Sequence, residues 1–212
     1  MQFSTGLREL VFPPRCLCCS TLGLEICSTC SAELRFHDYR SHVLRVPVYS
    51  AIRYGARAGR ILLSAKEDGV RRADELLVGA LKYSLRRAVR DFGIRPTLIP
   101  IPHSKKALRK RGRNFVADIA SQLAVQENLP TRLIIGHNRK VRDQSQLDAH
   151  SRIGNLSGSM SVLRPCGRPC EVFLIDDLMT TGATLSEAVR TLEKADFRVV
   201  AAVTAFVALP LR

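Results

Sequence analysis

The chain has 212 residues and ordinary apolar content, which suits one α/β domain with a small additional module. No apolar run is long enough to span a bilayer and the N-terminus lacks the pattern of a secretory signal, so we expect a cytoplasmic protein without membrane insertion. The net charge of +14 favours polyanionic partners such as phosphorylated substrates or nucleic acid, although a general preference for arginine would also produce it.

Five of the seven cysteines lie within the first thirty residues. In a cytosolic chain such crowding favours metal over disulfides. Two Cys-x-x-Cys pairs would hold one structural zinc through Cys16, Cys19, Cys27 and Cys30. Cys18 could replace one of its neighbours as a ligand, and unliganded thiols in an unstructured leader are the alternative. We predict a zinc-binding module over residues 1–40 and a second domain over 41–212. A module this small has almost no core, so metal would have to hold it together.

The segments after the cysteines predict an α/β arrangement. Residues 43–54 alternate apolar and polar side chains, which predicts a strand or a hairpin. Helical spacing follows over 57–67 and, after a break at Gly69, over 71–89. A short apolar strand is predicted over 97–103, where it runs into prolines.

Residues 105–113 are the most basic stretch of the chain, with six basic residues among nine, and we predict a loop that faces water or an anion. A solvated surface loop is the plain interpretation. The sharper interpretation is a clamp on pyrophosphate or on a nucleic-acid backbone. The residues predicted for this clamp are Lys105, Lys106, Arg109, Arg111 and Asn114.

The next part of the chain is predicted to hold a helix over 115–125 and a strand over 132–135. Residues 137–161 are polar and lack a clear period, so we predict a long flexible loop there, with one helical turn. A turn over 164–169 leads into the central strand, and the apolar run over 198–207 predicts a final buried strand.

The strongest chemical signal lies between these segments, over residues 172–185. The apolar run Val172–Ile175 predicts a buried strand, which Asp176 and Asp177 would end with two adjacent charges. A small hydroxyl-rich loop with a glycine follows, and a helix is predicted over 186–194. Carboxylates there need water, a cation or hydroxyl donors, whereas the free N–H groups of the helix favour an anion.

One molecule would satisfy both halves of this stretch. A ribose 5-phosphate offers a phosphate for the loop and a vicinal diol, with a divalent cation, for the carboxylates. A plain strand–turn–helix, in which an aspartate or threonine caps the helix, is the alternative.

The stretch closely resembles the motif that binds 5-phosphoribosyl 1-pyrophosphate (PRPP) in type I phosphoribosyltransferases: an apolar strand, two acids, a short link and Thr-Thr-Gly-x-Thr. The resemblance implies the type I phosphoribosyltransferase fold, a mostly parallel sheet flanked by helices. It also implies that the acids hold the ribose hydroxyls, directly or through Mg²⁺-bound water, while the loop holds the 5-phosphate. The PRPP-binding residues would be Asp176, Asp177, Thr180, Thr181, Gly182, Ala183 and Thr184.

A further set of features occurs together and in this order along the chain: the cysteine pairs, Tyr54-Gly55, Lys66, Pro100-Ile-Pro102, Arg111-Gly-x-Asn114, Gln144, Arg152 and Asn155. This set resembles the ComF/GntX family, the bacterial competence proteins of ComFC type. The chain departs from the family pattern at two places. Arg113 and Phe115 replace a usual Phe and Gln, which bears on base stacking, and Glu67 replaces a usual aromatic residue, which would touch only local packing.

The resemblance implies a phosphoribosyltransferase-like protein that acts in the uptake of transforming single-stranded DNA, beside a helicase-like ATPase. If it turns over, it would transfer a phosphoribosyl group and release pyrophosphate, with Asp176, Asp177 and Arg111 as candidate catalytic residues and the acceptor open. A second hypothesis is an accessory protein that binds single-stranded DNA and has a non-catalytic PRPP pocket, with Phe115 and Tyr54 as weak stacking candidates. A third is an adaptor that docks through residues 16–30.

Overall fold

The computed structural model describes residues 13–138, 158–163 and 168–209, without the side chains of Lys105 and Lys106. Its main sheet has five strands in the order β1–β2–β7–β6–β3, and all neighbouring pairs except β1–β2 are parallel. The remaining two strands, β4 and β5, pair antiparallel. The strands are β1 (Tyr39–Val43), β2 (Val46–Arg53), β3 (Thr97–Pro100), β4 (Ile135–His137), β5 (Met160–Val162), β6 (Glu171–Met179) and β7 (Arg198–Val207).

Helices cover both faces of the sheet. The long third helix packs on β2 and β7, whereas the last helix packs on the opposite face together with β4 and β5. The predicted fold class, α/β with a mostly parallel sheet flanked by helices, is therefore confirmed. The helices are α1 (Ser28–Glu33), α2 (Ala56–Leu63), α3 (Arg71–Phe92), α4 (Lys105–Arg111), α5 (Phe115–Glu127) and α6 (Ala183–Glu193), and a π-helical turn (Ser64–Asp68) extends α2.

The central strand β6 shows why a parallel strand is apolar throughout. Phe173 and Ile175 point into the core on the α3 and α5 side, and Val172 and Leu174 point into the core on the α6 side; all four are fully buried. Burying each such side chain contributes roughly 1.5–3 kcal/mol. Because successive side chains alternate between the faces, Asp176 follows the α6 side and Asp177 the α3 and α5 side.

The strand does not end at the aspartates, as the sequence had suggested. It continues to Met179, and Asp176 pairs with Thr204 of β7. The reason is that β7 extends to Val207 and offers hydrogen-bonding partners over this whole length.

The basic stretch over 105–113 is not a loop, so that prediction is wrong. It forms the short helix α4, whose first turn is capped by Ser104: the Oγ accepts a hydrogen bond from the Ala107 N–H at 3.2 Å. Gly112 ends the helix in the left-handed conformation, with φ of +67°. Both capping residues were visible in the sequence, and they outweigh the repulsion among the basic side chains.

Other boundaries shift by a few residues. The strand predicted over 132–135 is instead β4, which starts at Ile135, and β5 begins at Met160, inside the predicted loop. Most of that loop (139–157) and part of the predicted turn (164–167) lie outside the described residues. In the described ranges, no helix is long and apolar enough to cross a membrane.

Candidate functional site

The four predicted zinc ligands converge. The sulfur atoms of Cys16, Cys19, Cys27 and Cys30 all lie within 4.8 Å of one another, and Cys19 Sγ is 3.7 Å from Cys27 Sγ. Four sulfurs about 2.3 Å from a tetrahedral zinc stand about 3.8 Å apart, so the arrangement fits this metal. Cys18 is buried but does not belong to the group. The cluster is compatible with a structural zinc held by the two Cys-x-x-Cys pairs.

Backbone N–H groups stabilise the thiolate of one cysteine of the cluster, Cys16. Burial raises the pKa of the Cys16 thiol, but hydrogen bonds from the backbone of Cys27, Cys18 and Cys19 outweigh it and lower that pKa to about 6. One of them, from the Cys27 N–H, spans 3.4 Å. Because the thiolate is the form that binds metal, this local geometry favours the metal-ligating state of Cys16, whereas burial raises the pKa of the Cys30 thiol.

The cysteine cluster does not stand apart from the rest of the protein. Cys16, Cys18 and Cys30 share one hydrophobic core with α3 residues such as Leu77. The Arg60 side chain of α2 also donates a hydrogen bond to the Cys18 carbonyl oxygen. The predicted division at residue 40 remains a prediction, and β1 already begins at Tyr39.

The second site lies where β6 passes into α6. Thr180 and Thr181 are exposed, and Thr181 Oγ1 accepts a hydrogen bond from the Ala183 N–H at 3.4 Å. Gly182 has φ of +76°, and a Cβ there would lie 2.7 Å from Val43 Cγ2. Glycine is thus needed both for the backbone conformation and for the close approach to β1. The turn is open to solvent on its threonine side.

The two aspartates at this site have different partners. Asp177 is 4 % exposed, and its Oδ2 lies 2.5 Å from Lys66 Nζ. Asp176 is partly buried, and its Oδ1 accepts the Asp177 N–H at 2.9 Å. Burial raises the pKa of Asp176, and the negative charge of Asp177 raises it further. Lys66 and Asp177 are distant in the chain, so their pairing was not predicted. It weighs against a site in which both acids are free, although the adjoining turn remains open.

A buried aromatic group lies behind this ion pair. The Phe115 ring is fully buried, stacks on His103 with centroids 6.5 Å apart, and has Lys66 Nζ 5.9 Å from its centroid. Burial lowers the pKa of His103 to about 4, against the opposing charge of Asp177. Phe115 therefore cannot stack on a nucleic-acid base, and that prediction is wrong. The other stacking candidate, Tyr54, is 37 % exposed and contacts Phe206 edge-on.

One residue of the predicted pyrophosphate clamp, Arg111, is paired with an acid, as is its neighbour Lys110. Arg111 Nε lies 2.8 Å from Glu67 Oε1, and Lys110 Nζ lies 2.7 Å from the other oxygen of Glu67. Glu67 thus does more than affect local packing, which corrects the sequence-based expectation. Arg109 is exposed and the structure shows no ion pair for it among the described residues. Asn114 Oδ1 is buried without a hydrogen-bond partner in the same described part of the chain.

The remaining clamp predictions concern the side chains of Lys105 and Lys106, which lie outside the described part of the structure. Arg113, which replaces a usual phenylalanine, lies over the Phe115 ring at 5.0 Å and pairs with Asp74 at 2.9 Å. Its guanidinium is therefore held against α3 by the Asp74 carboxylate.

Comparison with solved structures finds phosphoribosyltransferases. Orotate phosphoribosyltransferase from Aeropyrum pernix is 15% identical with a TM-score of 0.34, covering 61% of this chain and 62% of that one. Adenine phosphoribosyltransferase from Leishmania donovani is 13% identical with a TM-score of 0.42, covering 87% and 81%. The chain thus spans about three fifths of the orotate enzyme. No protein-family model and no curated protein matches it. Similarity at this level leaves the function to be argued from the site's own residues.

Proposed function

We propose that this chain is a PRPP-binding, phosphoribosyltransferase-like protein of the ComF/GntX type. One observation carries the proposal: β6 brings two adjacent aspartates to the carboxyl end of a parallel sheet and leads, through exposed threonines, into the N-terminus of α6. Ligands of open α/β sheets bind at this edge, and helix N-termini favour phosphate.

Each half of the site suits one part of PRPP. Backbone N–H groups and hydroxyls over 180–184 would hold the 5-phosphate, because Thr180 and Thr181 face solvent and Gly182 is the N-cap of α6. Asp176, which makes no direct ion pair within the described part of the chain, would accept the ribose hydroxyls first. Asp177 would follow once Lys66 releases it. Mg²⁺, bound mostly through substrate oxygens, would supply charge neutralisation for the pyrophosphate.

Ligand-induced thermal stabilisation tests the proposal. PRPP with Mg²⁺ should raise the melting temperature of the wild-type protein, and the double variant Asp176→Asn, Asp177→Asn should abolish that rise. Asp196→Asn is the matched control, because Asp196 is an exposed carboxylate beyond the far end of α6 and has φ of +63°, which asparagine tolerates. A wild-type protein that PRPP does not stabilise would refute the proposed pocket.

Turnover and biological role require a second experiment. We propose that the protein acts in DNA uptake beside a helicase-like ATPase, and that any reaction releases pyrophosphate. A PRPP-dependent pyrophosphate-release assay across nucleobases and single-stranded DNA would identify an acceptor. Absence of release with every acceptor, in a protein that binds PRPP, would favour a binding protein over a transferase.

Single-stranded DNA binding is the second candidate function. It is favoured by the net charge of +14 and by the exposed Arg109 on α4, whereas the burial of Phe115 removes one stacking platform. Affinity for single strands should fall steeply with salt, and charge reversal at Lys105, Lys106 and Arg109 should weaken it. Unchanged affinity in that variant would remove α4 from the DNA-binding surface.

A further inference from the structure

Two neighbouring residues of the π-helical turn, Lys66 and Glu67, make ion pairs of opposite sign with two different parts of the candidate site. Lys66 Nζ lies 2.5 Å from Asp177 on β6. Glu67 lies 2.8 Å from Arg111 and 2.7 Å from Lys110 at the end of α4. A single short segment therefore pairs with one acid of the site and with two of its basic residues.

The π-helical turn explains how one segment reaches both elements. It extends α2 by five residues and ends at Gly69, which is in the left-handed conformation. Such turns within helices are rare and are often found at functional sites. Adjacent residues of a helical turn project in different directions, so Lys66 reaches towards β6 while Glu67 reaches towards α4.

The charges that this turn supplies are those that the proposed ligand would bring. A divalent cation at the acids would take the place of the Lys66 ammonium, and a pyrophosphate at α4 would take the place of the Glu67 carboxylate. We propose that Lys66 and Glu67 form an ionic latch, which holds the partners of the metal and of the pyrophosphate in the ligand-free protein and which PRPP must displace. This inference rests on the proposed PRPP-binding function.

The burial of the pairs is consistent with an exchangeable contact. The side chains of Glu67 and Arg111 are 21% and 18% exposed and that of Lys66 is 20% exposed, so water reaches each of these three, whereas the Asp177 side chain is 5% exposed. In such partly buried pairs the desolvation penalty offsets much of the Coulomb attraction. A pyrophosphate carries several negative charges against the single charge of Glu67. The apparent affinity for PRPP is then the intrinsic affinity reduced by the fraction of molecules in which the latch is open.

Removing the negative half of the latch tests this directly. In Glu67→Gln, Lys110 and Arg111 lose their carboxylate partner, so calorimetric titration with PRPP and Mg²⁺ should show affinity higher by about three- to tenfold than in the wild type. Inorganic pyrophosphate with Mg²⁺ should gain similarly. Ribose 5-phosphate lacks the pyrophosphate and should bind both proteins equally. Glu67→Asp keeps the charge and should stay closer to the wild type.

The chain offers a matched control in Glu127, at the far end of α5. Glu127 also pairs with one lysine and one arginine, Lys82 at 3.0 Å and Arg86 at 2.9 Å, and its side chain is 13% exposed. Glu127→Gln changes the net charge by the same amount and should leave PRPP affinity unchanged. Melting curves of all variants show whether each one is folded.

The outcomes separate the latch from the function on which it rests. If wild type binds PRPP and Glu67→Gln binds no more tightly, or if Glu127→Gln gains equally, the latch is refuted and the proposed function stands. If only Glu67→Gln binds, the latch is supported in a strong form. If no protein binds PRPP or pyrophosphate, both inferences fail together.

Discussion

The cysteine cluster and the acid-bearing end of β6 are two sites of opposite construction. The ligands of the first come from one short segment, and their sulfur atoms already stand at distances that suit a metal. The groups of the second come from β6, α4 and the π-helical turn, and several are already paired with one another. A local site is determined by sequence spacing, whereas a site assembled from distant segments has charges that must first change partners.

Breaking the cysteine cluster should have the largest effect. Cys16→Ser or Cys27→Ser should cost about 4 kcal/mol or more of unfolding free energy, because the metal is lost and the adjoining core loosens. Cys18→Ser is the control. Cys18 is buried but lies outside the four-sulfur group, so this variant should retain one zinc per chain. Metal analysis and urea unfolding measure both quantities. A folded wild-type protein without metal would contradict this view of the cluster.

The paired charges at the second site can be separated by a double-mutant cycle. Lys66→Met should destabilise the protein by about 2–3 kcal/mol, because it leaves Asp177 buried without its cation; this is below the value for a fully buried pair, since Lys66 is partly exposed. Adding Asp177→Asn should recover part of the loss. Urea unfolding of the four proteins gives the coupling energy. Strictly additive effects would show that the pair contributes nothing.

The turn between β6 and α6 can be tested by adding one methyl group. Gly182→Ala should cost about 1–3 kcal/mol, because the residue has positive φ and the new Cβ would meet Val43. Gly93→Ala separates the two causes: Gly93 has φ of +65° but no atom within 4 Å of a Cβ. Gly93→Ala should therefore cost less than Gly182→Ala. Adding Val43→Ala should lower the cost of Gly182→Ala and should leave the cost of Gly93→Ala unchanged. Equal costs at both glycines would show that the contact with Val43 is unimportant.

Within a single pH unit, the smallest effect should appear in the dependence of stability on pH. Because the pKa of Asp176 is raised to about 8, the folded state binds more protons than the unfolded state between that value and the ordinary aspartate pKa. Stability from this group is present at low pH and should fall as pH rises through the window, by at most about 1.4 kcal/mol per pH unit. Asp176→Asn should flatten the curve of unfolding free energy from pH 5 to 8. If the wild-type curve is as flat as that of the variant, Asp176 is ionised over the whole range from pH 5 to 8.

Much of this architecture could be predicted because its signals are local. The continuous apolar run of β6 and the spacing of the cysteines require only short stretches of sequence. The helix α4 could also have been predicted, since Ser104 and Gly112 are capping residues at either end. The basic residues of this segment favoured a solvated loop, whereas its two capping residues favoured a helix.

The pairing of Lys66 with Asp177 and of Glu67 with Arg111 could not be predicted in this way. These contacts join residues that are distant in the chain, and they depend on how the π-helical turn packs against β6 and α4. The burial of Phe115 agrees with its helical spacing to Ile119 and Leu123, but its contacts with His103 and Lys66 are tertiary and no spacing rule indicates them. Which charges of a site are free is decided by tertiary packing.

The contact between Gly182 and Val43 gives the antiparallel edge strand a role in the site through an apolar side chain. Val43 lies directly under the backbone of the turn, so β1 supports the position at which a phosphate would be received. A larger side chain at residue 43 would lift the turn, and a smaller one would let it sink. The sensitivity of this protein to its ligand could therefore be tuned from a hydrophobic position on a strand at the margin of the sheet.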